Sequence, residues 1–187
     1  EMLARLGLDE LSHTIRELLV EHPGDTHLKL DLAGRDPDDG MTDVAYEKGY
    51  LFLRMLEEGV GRARWDTFLR SYFDRFSFQP MTTEAFLSFL DRELLRGDEE
   101  LARKLRIRAW VYGPGLPDNL PRVRSEALEK SAAAANYFAG GVKASALKTD
   151  GWTTHEWLHF LRHLPSPLPV DRLAELDEAF SLTTSKN

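Results

Sequence analysis

Residues 64–78 read RWDTFLRSYFDRFSF. Trp65, Phe68, Leu69, Tyr72, Phe73 and Phe76 recur at intervals of three and four, so they share one side of an α-helix. That spacing predicts a core-facing aromatic stripe. The same period continues outward. A helix is expected to start near Val44 and to run through YEKGYLFLRMLEEG. Downstream, QPMTTEAFLSFLDRELLRG predicts a second start, with Thr82 or Thr83 as the cap, Glu84 in the first turn and Gly97 as the stop. Another helix is expected from Glu99 to Trp110.

Toward the N-terminus, Leu8, Leu11, Ile15, Leu18 and Leu19 lie on one helical face, and EHPGD ends that helix. THLKLDL then alternates Leu28, Leu30 and Leu32, which predicts a short strand or an extended segment. AGRDPDDGMTD reads as a loop. Further on, VYGPGLPDNLPR carries Pro114, Pro117 and Pro121 and is the best boundary in the chain. Beyond it, SEALEKSAAAANYFAGG predicts a helix capped by Ser125 and stopped by Gly140-Gly141. SPLPVDRLAELDEAF predicts a last one, with Leu173, Leu176 and Phe180 inward. The expected fold class is therefore mainly α, with residues 1–112 as one part, 113–121 as a linker and 122–187 as another.

The totals narrow the function classes. The chain has 187 residues, 42% hydrophobic and 29% charged, enough for a real core. Its 24 basic and 31 acidic side chains give a net charge of −7, which argues against nucleic acid as a partner. No stretch approaches the roughly 20 apolar residues of a membrane span. EMLARLGLDEL does not read as a signal peptide, and the compartment, cytoplasmic or periplasmic, stays open. With no cysteine, any metal would need histidine and carboxylate ligands.

His155-Glu156-Trp157-Leu158-His159 matches H-E-x-x-H, the zinc-peptidase helix motif. One reading makes His155 and His159 zinc ligands, Glu156 the general base and Glu178, 19 residues further on, a third ligand. The other reading is a capped surface helix. Thr153 and Glu156 form T-x-x-E, a capping box, and Trp152 with Trp157 fits a hydrophobic staple. Trp157, Leu161 and Leu164 would face inward, leaving His155, His159, Arg162 and His163 on the polar side. The second reading explains more of the same residues.

A longer stretch carries a resemblance. DVAYEKGYLFLRMLEEGVGRARWDTFLRSYFDRFSFQPMTTEAFLSFL resembles the end of the catalytic domain of zinc aminopeptidases of the aminopeptidase N and leukotriene A4 hydrolase family. The motif Tyr46-Glu47-Lys48-Gly49 is specific in that context. WVYGPGLP is similar to that family's junction into its helical C-terminal domain, and TTHEWLHFLRHLPSPLP to a helix there that has no zinc role. The resemblance implies the helical end of a thermolysin-like catalytic domain followed by the start of an α-helical C-terminal domain. It implies zinc in the parent enzyme, a peptide substrate, and zinc ligands lying upstream of Glu1, so that the chain is an inactive fragment. It assigns Tyr46 the stabilisation of the oxyanion, and it leaves Glu47 and Lys48 as a local ion pair or surface charges. Asp36, Asp38 and Asp39 either help line a peptide cleft or are turn formers, the commoner role of loop acids. Met41 stands where the leukotriene A4 hydrolase branch has a second Tyr, and Met cannot donate a hydrogen bond from that position, which argues against epoxide hydrolysis. Two rivals remain: a self-contained small zincin using His155, Glu156, His159 and Glu178, and a non-catalytic helical module that meets partners through its acidic surface.

Overall fold

A computed structural model describes residues 1–184. Among them helices dominate and no strand forms. The chain falls into two compact units, one of Leu6–Arg122 and one of Glu1–Arg5 with the residues from Val123 onward.

The first unit is built on α1 (Met2–Glu21), the short α2 (Pro37–Gly40), α3 (Val44–Val60) and α4 (Arg62–Phe76). Leu8, Leu11 and Ile15 of α1 are buried, as their spacing requires, whereas Leu19 is exposed. Gly61 alone joins α3 to α4. Its φ of 84° and ψ of 150° belong to a region that only glycine visits freely, so the chain reverses there without a loop. The aromatic stripe of α4 then meets α5 (Thr83–Phe89). Phe68 lies 5.5 Å from Phe89, and Phe76 meets Phe89 edge-on at 5.1 Å. These pairs add to the area that Trp65 and Phe68 bury. Phe73, placed in the stripe by its spacing, is exposed instead.

Thr82 is the cap of α5, its side chain accepting from the Ala85 N–H at 3.1 Å. The helix widens into a π turn over Leu90–Leu95 and stops at Arg96, which is left-handed, followed by Gly97. The single helix expected from Glu99 to Trp110 is two helices, α6 (Glu99–Lys104) and α7 (Ile107–Tyr112), because Arg106 adopts φ 52° between them. The break turns Trp110 fully inward. Its indole N–H donates to Asn119 at 3.0 Å, and Asn119 donates to the Leu105 carbonyl at 3.0 Å, which fastens residues 113–121 to this unit. THLKLDL is not a strand. It bends over residues 27–29, and its long-range backbone bond, Lys29 N–H to the Val111 carbonyl at 3.0 Å, makes no ladder.

The second unit contains α8 (Glu126–Ala139), α9 (Thr154–Arg162) and α10 (Val170–Phe180). Ala134, Ala135, Phe138, Phe160 and Leu176 form its core. The alanines of α8 leave room for α9 to approach closely, and these two helices pack along their lengths. Ser125 caps α8, and Gly140 and Gly141 follow its end. Arg172 of α10 lies over the Phe138 ring at 3.7 Å and donates to the Phe138 and Val142 carbonyls, so a cation closes the negative end of α8. Leu176 points inward as expected, but Leu173 is exposed.

Candidate functional site

The zinc-like motif is a helix start. In α9 the Thr153 side chain accepts from the Glu156 N–H, and the Glu156 carboxylate accepts from the Thr153 N–H at 2.8 Å. Trp152 and Trp157 meet with ring centroids 4.9 Å apart, completing the staple. Glu156 therefore faces the cap, and His155 is exposed.

His159 corrects the sequence reading. It is 5% exposed, not on the polar face. Its Nδ1 lies 2.9 Å from Ser131 Oγ on α8, and that hydroxyl also donates to the Leu128 carbonyl at 3.0 Å. A hydroxyl has one proton. With that proton on Leu128, His159 is the donor to Ser131. The buried residues of α9 are His159 and Phe160, whereas Leu161 of the expected inward line is exposed. Glu178 is exposed on α10. Among the described residues no group of three or more His, Asp or Glu side chains converges as metal ligands. The HEWLH residues therefore do not fit a zinc ion, and the small-zincin reading fails on geometry.

YEKG is arranged differently. Tyr46 sits in the first turn of α3 and is 72% exposed. Its hydroxyl has no hydrogen-bond partner among the described residues. Its ring does not enter the core. Lys48, on the opposite side of the same turn, is fully buried. Its Nζ donates to the carbonyls of Thr26 at 2.7 Å and Gly113 at 2.9 Å. Burial pushes its ammonium down to about 8. Lys48 is thus neither a surface charge nor the partner of Glu47, as the sequence reading had it. A signal was present: Val44, Lys48, Leu51, Phe52 and Met55 share the buried face of α3, and Lys48 occupies its middle. Glu47 lies along α1, its carboxylate so near Gly7 that a Cβ there would clash with it.

The loop before α3 is also built. Arg35 donates to both oxygens of the buried Asp25, at 2.7 and 2.9 Å. That guanidinium holds the Asp25 carboxyl below its ordinary range against the opposing effect of burial. Asp36 caps α2, accepting from the Asp38 N–H at 3.0 Å, which is turn-forming work. A groove of about 500 Å³, lined by Leu87, Leu90, Ile107 and Tyr112 among others, contains neither Tyr46 nor a motif histidine.

Residues 12–107 match the Peptidase family M1 domain. The chain belongs to peptidase family M1. It is 41% identical over 105 residues to a leucine aminopeptidase 2 of Coccidioides immitis, covering 52% of this chain and 17% of that protein. It is 32% identical over 161 residues to aminopeptidase B of Rattus norvegicus, covering 79% of this chain and 24% of that protein. The structure of native leukotriene A4 hydrolase from Saccharomyces cerevisiae shares the fold. It superposes with a TM-score of 0.76 at 23% identity, over 96% of this chain and 32% of that one. The M1 match spans α3 with YEKG and ends before HEWLH. The chain spans less than a third of the length of these relatives.

Proposed function

We propose that this chain supplies the oxyanion-stabilising tyrosine of a metallo-aminopeptidase that removes N-terminal residues from peptides. The observation that carries the reading is Tyr46: an exposed phenol whose hydroxyl is uncommitted among the described residues, in the first turn of a helix that buries Lys48 on its other side. When water adds to a scissile carbonyl, negative charge collects on its oxygen. A phenol O–H at that oxygen donates a hydrogen bond that strengthens as the charge develops, which lowers the barrier. Collapse of the adduct then breaks the C–N bond and releases the terminal residue. Membership of the M1 family and the aminopeptidase names of the relatives support this substrate class. The zinc implied by the resemblance would be held by residues outside this chain, since HEWLH does not fit it. By itself the chain is expected to be inactive.

The test is Tyr46→Phe in the full-length enzyme, assayed on aminoacyl-anilides. The expected result is a fall in kcat of about 10²–10³-fold with KM nearly unchanged, the loss typical of one oxyanion donor. A kcat within twofold of the parent sinks the assignment. The isolated chain is expected to retain no zinc after dialysis against a weak chelator and to show no turnover.

A further inference from the structure

We propose that Lys48 is a positioning residue for Tyr46, its buried ammonium fixing the rotation of the first turn of α3 by binding the Thr26 and Gly113 carbonyls. The proposal rests on the oxyanion role of Tyr46 and explains how the phenol is aimed.

The two side chains stand two residues apart, about 200° around the helix, so they leave the same turn in nearly opposite directions. Whatever holds Lys48 therefore sets where Tyr46 points. The acceptors come from 22 and 65 positions away in sequence. Both are themselves held. Thr26 ends the 3-10 turn Pro23–Thr26, its hydroxyl donating to the Pro23 carbonyl at 2.6 Å and accepting from the Gly115 N–H at 2.8 Å. Gly113 ends α7, its N–H donating to the Ala109 carbonyl at 3.0 Å. A Cβ at Gly113 would lie 2.5 Å from the Ala109 oxygen, so the backbone is packed there without slack.

The neighbouring motif residues seat the same turn. Glu47 lies on Gly7 of α1, and Gly49 faces Leu28, whose Cδ2 would be 4.0 Å from an added Cβ. YEKG thus presents Tyr46 outward and Lys48 inward, with the half-buried Glu47 and Gly49 against α1 and Leu28. An ammonium is a costly way to fill a core position that Leu or Met would fill more cheaply. What it supplies that they cannot is directional bonding to two loops at once. A catalytic phenol needs such directionality, because a displacement of about 1 Å can cost 10²-fold in rate.

The experiment is a double-mutant cycle of Lys48→Met and Tyr46→Phe in the full-length enzyme, with kcat and KM measured for each variant. Lys48→Met is expected to lower kcat by at least about tenfold with KM within twofold, and to add less than about twofold on top of Tyr46→Phe. Undiminished kcat in Lys48→Met, or a loss that multiplies fully with that of Tyr46→Phe, overturns the proposal. A normal kcat in Tyr46→Phe alone instead overturns the oxyanion reading. If Lys48→Met does not fold, Thr26→Val replaces it in the cycle. It keeps the buried charge and both acceptor carbonyls and removes only the hydroxyl that ties Thr26 to Pro23 and Gly115, and the same two outcomes decide.

Discussion

His159 of α9 and Ser131 of α8 share a buried hydrogen bond of 2.9 Å, joining the two helices of the C-terminal unit that pack most extensively. A histidine that sequence alone offers as a metal ligand is a tie between helices. His159→Ala is expected to cost about 2 kcal/mol in urea unfolding, from a lost hydrogen bond and lost packing. His155→Ala, at an exposed position, should stay within about 0.5 kcal/mol. Zinc content should change in neither variant.

The Thr153–Glu156 box gives a second expectation. Thr153→Ala removes the side chain that accepts from Glu156 and should cost about 1 kcal/mol of stability. Glu156→Ala should cost a similar amount and leave peptidase activity of the full-length enzyme intact. A large loss of kcat in that variant would restore Glu156 as a general base.

Asp25 and Arg35 govern stability in acid. The folded Asp25 pKa is lowered, so its contribution is fully present above its unfolded pKa of about 4 and is lost as pH falls through the folded value. Arg35→Met removes both side-chain hydrogen bonds to the buried Asp25 carboxylate and should lower stability at pH 7. That deficit should shrink as Asp25 protonates. Urea unfolding of both proteins at pH 7 and pH 3 measures it.

Lys48 acts with the same sense at high pH. Its folded pKa is depressed to about 8 from 10.5, so between those values the unfolded chain binds more protons than the folded one. The contribution of this group to stability therefore rises with pH across the window, by up to about 3 kcal/mol. The neutral amine still has two N–H donors for its two carbonyls. Comparing unfolding of the parent and Lys48→Met from pH 7.5 to 10.5 isolates the effect. Parallel curves would show that Lys48 titrates normally.

The caps were legible because a cap is local. Thr82, Ser125 and the Thr153–Glu156 pair each bond to a backbone group three residues away, and the Trp152–Trp157 staple spans five. Helical periodicity located α1, α3, α4, α5 and α8 for the same reason. It failed where a partner outside the helix decided the matter. Phe73 and Leu173 carry the right spacing, yet both are exposed among the described residues. The alternation in THLKLDL found no second strand to pair with. The left-handed Arg106 that splits α6 from α7 carries no local marker such as Gly or Pro.

The candidate site divides along the same line. The order of residues was enough to identify YEKG, to place Tyr46 at a helix start and to read HEWLH as a capped helix. It also put Lys48 in the middle of an apolar face, but charge argued for the surface. Only the folded chain brings the carbonyls of Thr26 and Gly113 to one point beneath α3, and it is their convergence that makes burying an ammonium tolerable. Only packing against α8 turns His159 inward onto Ser131. Local hydrogen bonding and periodicity are properties of neighbours in sequence. The burial of a charge depends on acceptors brought from far along the chain, and tertiary structure alone supplies them.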